Sequence, residues 1–173
     1  MATETEKARA IKLLILDVDG VLTDGSIVYA DSGEELKCFN VQDGHGIKLL
    51  LRAGIEVALV TGRKSAAVEH RARDLGITLV FQKALNKIEA YEEIRATRKL
   101  RDEQLCVMGD DLPDLPILRK CGFSVAVPES VAEVLQEADY VTKRGAGQGA
   151  VREVCEIILK AQGLWEQVTA RYI

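Results

Sequence analysis

Short apolar runs alternate along the chain with longer stretches in which apolar residues recur every three or four positions. Ile11-Lys12-Leu13-Leu14-Ile15-Leu16 predicts a buried strand ending at Asp17, and 55–60, 78–81, 105–108, 124–127 and 140–142 predict further strands. Between them, Ile47, Leu50 and Leu51 mark a helix that stops at Gly54, and a second runs over about 65–75 to Gly76. Asn86 is placed to cap a third helix carrying Ile88, Tyr91, Ile94 and Leu100. Helices are also predicted at 114–120, 130–137 and 149–162, followed by a tail at 163–173. Residues 26–30 and 34–39 flank the turn signal Asp31-Ser32-Gly33 and predict a β-hairpin inserted in this α/β pattern.

Strand, helix and strand at this spacing imply parallel strands joined by right-handed crossovers, with helices on both faces. The predicted fold class is therefore α/β, a doubly wound and mainly parallel sheet with a small hairpin insertion. The 173 residues fit one domain over 1–173, large enough for a real core and too short for a separate lid over a site. A hydrophobic share of 47% beside 29% charged residues is that of a folded globular chain. The net charge of −4 argues against a generic nucleic-acid binder. MATETEKARA lacks the apolar core of a secretory signal, and no apolar run nears the roughly 18 residues of a membrane span, so no membrane partner and a cytoplasmic location are expected. Cys38, Cys106, Cys121 and Cys155 are scattered without a C-x-x-C pair, and Cys106 and Cys155 read as small buried hydrophobes.

Doubly wound sheets bind ligands outside the carboxyl ends of their strands, so those ends hold the candidate chemistry. The first strand runs into Asp17-Val18-Asp19-Gly20, with Asp24 further on, and the second into Thr61-Gly62-Arg63. The helix after the third strand opens with Asn86-Lys87; the fourth strand runs into Gly109-Asp110-Asp111, with Asp114 close behind. Carboxylates crowded in one pocket repel each other and require a cation. Oxygen donors without His or Cys favour a hard ion, Mg²⁺, which completes its shell with water and substrate phosphate. A lysine and a threonine beside it would hold the other phosphate oxygens. One carboxylate can attack phosphorus, and a second two residues on can protonate the leaving group and then activate water. Each fragment alone is an ordinary turn, cap or solvated charge. Their joint placement on one rim points to phosphoryl transfer.

Two glycine-bearing stretches do not fit nucleotide motifs. Gly62-Arg63-Lys64-Ser65 lacks a lysine directly after its glycine, and Val57 occupies the first glycine position of a P-loop. Gly145-Ala146-Gly147-Gln148-Gly149-Ala150 opens the last helix, so no strand with a ribose-binding acid follows; it suits an anion, a close chain approach or a flexible loop.

DVDGVLTDG, the strand-end Thr61, Lys87 and GDDLPDLP resemble the four signature motifs of the haloacid dehalogenase (HAD) phosphatase superfamily. GEELKCFNVQDGHGI, VTGRK, DYVT and GQGAVREVCEIIL extend the resemblance, over about residues 11–162, to the small capless branch of sugar-acid phosphatases. That branch includes the phosphatases of 3-deoxy-D-manno-octulosonate 8-phosphate (KDO 8-phosphate). The resemblance implies an Mg²⁺-dependent phosphomonoester hydrolase with an aspartyl-phosphate intermediate, serving lipopolysaccharide precursor synthesis. It implies Asp17 as nucleophile and metal ligand, Asp19 as general acid/base with its carbonyl on the metal, and Asp110 as the remaining metal carboxylate. Asp111 and Asp114 would orient metal waters, and Thr61 and Lys87 would hold the phosphate. Substrate contacts map onto Asp19, Asn40, Val41, Gln42, Asp43, Gly44, Lys48, Thr61, Gly62, Arg63, Arg71 and Lys87. Bases among these suit the carboxylate of a small phosphorylated sugar acid.

Two features depart from the pattern: Pro113 replaces an asparagine common in the fourth motif, and the tail LWEQVTARYI differs from the branch's glycine-containing tails. Three other functions compete with the leading one. A nine-carbon, sialic-acid-type 9-phosphate is disfavoured by Arg63, where such relatives tend to carry an acid. A signalling receiver domain needs an acid after the third strand, which ends Phe81-Gln82-Lys83. A catalytically inactive metal-binding module is disfavoured by the complete set Asp17, Asp19, Lys87 and Asp110. Capless relatives form tetramers whose subunits complete one another's sites. A homotetramer is therefore expected here, with the 26–39 hairpin closing a neighbour's pocket through Ile27, Tyr29, Leu36 and Phe39.

Overall fold

The computed structural model of the protein describes residues 2–172. Its strands follow the apolar runs: β1 (Leu13–Leu16), the hairpin strands β2 (Val28–Tyr29) and β3 (Glu35–Leu36), β4 (Glu56–Val60), β5 (Leu79–Phe81), β6 (Leu105–Gly109), β7 (Phe123–Ala126) and β8 (Tyr140–Val141). Six of them pair in the order β5-β4-β1-β6-β7-β8, and every neighbouring pair is parallel. β2 and β3 pair antiparallel as a separate hairpin, with Val28 opposite Leu36.

The helices are α1 (Glu4–Ala10), α2 (Val41–Arg52), α3 (Ala66–Leu75), α4 (Lys87–Thr97), α5 (Leu115–Leu118), α6 (Ala132–Glu137), α7 (Ala150–Ala161) and α8 (Trp165–Thr169). Successive strand side chains point to opposite faces, and the two faces bury different helices. Leu14, Leu16, Val57, Leu59, Cys106 and Met108 pack with α2, α3 and α7. Leu13, Ile15, Ala58, Val60, Leu105 and Val107 pack with α4, α5 and α6. Strands buried on both faces read as unbroken apolar runs rather than alternating ones, as β1 and β6 do.

From β1 the chain steps outward through β4 and β5, then returns to the other side of β1 for β6, β7 and β8. That reversal puts the topological switch point at the carboxyl ends of β4, β1 and β6, where a crevice forms.

The predicted bounds shift in places. Leu100 lies beyond α4, and the 114–120 helix is a 3₁₀ turn (Leu112–Asp114) followed by the four residues of α5. Asn86 occupies the cap position of α4, yet its amide donates to Glu89 Oε1 (2.8 Å) instead of accepting from the backbone. Two helices have no counterpart in the apolar pattern. α1 is held by a capping box, Thr3 Oγ1 accepting from Glu6 N (3.3 Å) and Glu6 Oε2 from Thr3 N (2.7 Å). α8 lies in the tail, tied to α2 where Arg52 donates to the Val168 carbonyl (3.0 Å). The four cysteines are free thiols, with Cys106 and Cys155 buried. No helix among the described residues is long and apolar enough to cross a membrane.

Candidate active site

A pocket of 280 Å³ opens at the switch point, lined by Asp17, Asp19, Thr61, Gly62, Arg63, Lys87, Asp110, Asp111 and Asp114, with Ala84, Leu85 and Pro113 at its edge. All four strand-to-helix connections expected at the rim therefore meet. Asp17 follows β1 directly, its N–H donating to the Met108 carbonyl of β6 (3.1 Å). The loop after it turns back at once: the N–H groups of Leu22 and Thr23 donate to the Val18 carbonyl (2.9 and 3.1 Å), and Thr23 Oγ1 accepts from Gly20 N (3.3 Å). Gly20 sits at φ +91°, and a Cβ there would lie 2.1 Å from Asp110 Oδ2. Glycine is what allows the β1 loop to approach the β6 loop so closely.

Lys87, the first residue of α4, is buried, and its ammonium donates to Asp17 Oδ1 and Asp114 Oδ1, each at 2.6 Å. Desolvation works to neutralise that amine, but the two carboxylates outweigh it and keep it charged. Asp114 is fully committed: its Oδ2 accepts from the N–H groups of Asp110 (3.1 Å) and Asp111 (3.3 Å), which folds the β6 loop. Asp111 caps the following turn through Leu112 N (2.8 Å). Pro113 falls inside that 3₁₀ turn, where no donor is required. Thr61, at the end of β4, is buried, and Arg63 N donates to its Oγ1 (3.4 Å).

Oxygens of Asp17, Asp110 and Asp114 lie within 4.8 Å of one another. Burial pushes the Asp17 and Asp110 carboxyls above the ordinary range; the neighbouring carboxylates add to the rise and Lys87 opposes it. One lysine does not compensate three clustered carboxylates, two of them buried, and a hard divalent cation fits this all-oxygen set. Asp114 has both oxygens engaged, so Asp17 and Asp110 are the carboxylates with room for such an ion.

The hairpin supplies groups that sequence reasoning missed. The Lys37 side chain, 1% exposed, pairs with Asp19 and lies 3.0 Å from Glu35 Oε1. Arg63 pairs with Glu35, accepts company from Tyr29 by donating to its hydroxyl (3.1 Å), and has Nε 3.9 Å from Asp19 Oδ2. Arg63 holds the Glu35 carboxyl down at about 2, with Lys37 contributing. The charged side of the hairpin is thus engaged with Asp19 and Arg63 of its own chain. Its apolar Ile27, Val28, Tyr29 and Leu36 stay exposed, while Phe39 packs on the core.

The remaining predicted contacts lie elsewhere. Asn40 caps α2, its Oδ1 accepting from Gln42 N (2.8 Å) and Asp43 N (3.3 Å). Gln42 accepts from Arg144 (2.8 Å). Asp43 is 1% exposed and turned inward, where its Oδ1 accepts from Arg152 N (2.8 Å) in the first turn of α7. It supplies the capping carboxylate that Gly149 at the start of α7 lacks. Val41, Gly44, Lys48 and Arg71 line, with His45, a second pocket of 260 Å³ that shares no residue with the first. Arg71 donates to the Asn40 carbonyl (3.0 Å), and Gly44 leaves room for its guanidinium, 2.3 Å from where a Cβ would stand. The 145–150 stretch serves close chain approach: Gly147 N donates to the Val21 carbonyl (3.1 Å), beside the loop that carries Asp19.

Comparison with known proteins agrees with this geometry. The haloacid dehalogenase-like hydrolase model matches residues 77–154. The chain is 47% identical over 167 residues to the 3-deoxy-D-manno-octulosonate 8-phosphate phosphatase of Escherichia coli K12, covering 96% of this chain and 89% of that one. The crystal structure of the Yersinia pestis phosphatase of the same name superposes with a TM-score of 0.92 at 48% identity, covering 94% of this chain and 88% of that one. The Moraxella catarrhalis phosphatase, solved in complex with magnesium, phosphate and KDO, superposes with a TM-score of 0.96 at 42% identity, covering 98% of both chains. Likeness at this identity over nearly the whole length, with the catalytic rim intact, makes the chain a member of the 3-deoxy-D-manno-octulosonate 8-phosphate phosphatase family of haloacid dehalogenase-like hydrolases.

Proposed function

We propose that this protein is an Mg²⁺-dependent phosphatase that hydrolyses KDO 8-phosphate to KDO and phosphate, supplying KDO for lipopolysaccharide precursors. The observation that carries the chemistry is the buried Lys87 clamped between Asp17 and Asp114 beside Asp110. The substrate assignment rests on the family and on the basic residues a sugar acid needs. Asp17 Oδ attacks phosphorus and forms an aspartyl-phosphate as the ester oxygen departs. Asp19 gives that oxygen its proton, then takes one from the water that attacks the acyl-phosphate, which restores Asp17 and releases phosphate. Lys87 and Thr61 hold phosphate oxygens, and Lys87 also fixes the Asp17 rotamer. Asp17, Asp110 and the Asp19 carbonyl would hold the Mg²⁺, with Asp111 and Asp114 orienting its waters. Bound there, the ion supplies neutralisation of the carboxylates and the phosphate.

Arg63 at the pocket mouth is assigned to the substrate carboxylate, and Gly62 to the phosphate loop. Asn40 to Gly44, Lys48 and Arg71 are assigned to the sugar acid from a neighbouring subunit of a homotetramer. The separate second pocket supports this reading, because it gathers bases away from the chain's own nucleophile. Residues 1–173 act in it as one HAD-like domain, in a cytoplasmic enzyme.

The test is phosphate release from KDO 8-phosphate by the purified protein, with Mg²⁺ and with EDTA. Release that EDTA abolishes and Mg²⁺ restores is expected. A higher kcat/KM on the nine-carbon sugar acid 9-phosphate would replace the substrate assignment, and no turnover of either ester would leave a binding module.

A further inference from the structure

Around Arg63 the hairpin does more than cover the rim. The 580 Å³ groove between hairpin and α3 shares Arg63 with the catalytic pocket, and Tyr29, Glu35, Lys37 and Ser65 line it. Within it Glu35 is the carboxylate that Arg63 grips, and its side chain is 12% exposed while that of Arg63 is 44% exposed. A half-exposed guanidinium at a pocket mouth ordinarily faces solvent or ligand; this one faces an internal anion. Ser65, at the N-terminus of α3, lines the same groove, and its buried hydroxyl helps to hold the Glu35 carboxyl down. The hydroxyl, the helix terminus, Arg63 and Lys37 together form a cradle for a carboxylate, and Glu35 occupies it.

We infer that Glu35 is a placeholder for the substrate's carboxylate: it holds Arg63 until a sugar-acid carboxylate displaces it, and so tempers the enzyme's preference for acidic over neutral sugar phosphates. This rests on the sugar-acid reading of the site. The charges explain why the exchange is possible and why it has a cost. In the resting arrangement Lys37 and Arg63 face Asp19 and Glu35, two cations against two carboxylates. On exchange Arg63 turns to the ligand, and Glu35 keeps Lys37, already 3.0 Å from its other oxygen. Three carboxylates then share two cations, so Glu35 weakens the binding of every carboxylate ligand. A neutral sugar phosphate does not compete for Arg63 and leaves the pair closed. Glu35 is thus a specificity-determining residue that acts through Arg63.

The test compares wild type and Glu35→Gln on two esters, KDO 8-phosphate and the neutral arabinose 5-phosphate. Glutamine keeps the length and an acceptor for Arg63 but removes the competing charge. The KM of the acid relative to that of the neutral ester should fall threefold or more, with the effect in KM rather than kcat. In an Arg63→Gln background the same substitution should leave that ratio unchanged, because no guanidinium remains to contest. An unchanged or raised ratio in the single variant, or a fall that persists without Arg63, overturns the placeholder. A hairpin disordered by the substitution would raise both KM values together and so also counts against it. A wild type that fails to turn over the acid would overturn instead the function on which the inference rests.

Discussion

Lys87 is the residue on which catalysis and stability pull in opposite directions. Its charge is needed by two buried carboxylates at 2.6 Å, and a third stands close by. Asp17 is a costly anion, since burial raises its carboxyl above the ordinary range even with Lys87 in contact. A neutral isostere at position 17 keeps the acceptor for Lys87 and loses the repulsion. Asp17→Asn should therefore abolish turnover, by roughly 10⁴-fold or more as removal of a nucleophile does. In EDTA it should raise Tm by about 2–4 °C, the shift that about 1 kcal/mol gives at this size. Phosphate release and thermal unfolding of the same preparation check both; retained activity removes Asp17 from its role. Gly20→Ala acts differently, forcing a Cβ to 2.1 Å from Asp110 Oδ2 at φ +91°. Displacing that carboxylate should lower kcat about 100-fold, and an alanine variant at wild-type kcat would show that the close approach is dispensable. Asp17, Asp19, Thr61, Lys87 and Asp110 were legible in the sequence because each ends or follows a strand whose apolar run is plain. Lys37 and Glu35 were not, because their partners Asp19 and Arg63 are set by how the hairpin folds back, which no local periodicity encodes.

At the scale of elements, the glycines and Asp43 of α2 explain how that helix sits against α7. A Cβ at Gly46 would lie 3.1 Å from the Arg152 Cα, so the two helices approach almost backbone to backbone. Asp43 then reaches the free N–H of Arg152, which α7 cannot satisfy from its own glycine start. Asp43→Ala should destabilise the fold by about 1–2 kcal/mol, the usual cost of losing a helix cap, read as a lower urea midpoint. An unchanged midpoint would mean that the carboxylate serves the substrate and not the helix. Beside its resemblance-based assignment to the substrate, Asp43 has a place in the fold: D-G-x-G at 43–46 reads as one contact segment, while helical geometry turns the Asp43 side chain inward. α1 and α8 escaped the pattern for a related reason. α1 buries only Ala8, and α8 buries Val168 and Thr169, too few apolar positions to make a period. The signal that could have found α1 is the capping-box pair Thr3 and Glu6, which an apolar period does not show; α8 depends on Arg52, far away in the chain.

For the whole molecule, the sheet order explains the catalytic rim but leaves Lys48 and Arg71, with Asp74, in a second pocket that shares no residue with the first. The described residues build no cap domain to exclude bulk water from an acyl-phosphate, and the hairpin exposes Ile27, Val28, Tyr29 and Leu36 together. An exposed apolar strip beside a site is a surface that a symmetric assembly can cover, because one interface then repeats in every subunit. If subunits share sites, two inactive variants should rescue each other. Asp17→Asn removes the nucleophile of one subunit, and Lys48→Glu repels the substrate from the second pocket of another. Co-expressed in equal amounts and purified together, they should form mixed oligomers with about a quarter of wild-type activity, since half the nucleophiles meet half the intact second pockets at random. Size-exclusion chromatography with light scattering should give four times the chain mass for the wild type. Activity no greater than the sum of the separate variants would mean that each chain builds its whole site alone, and full activity of Lys48→Glu by itself would take the second pocket out of the reaction.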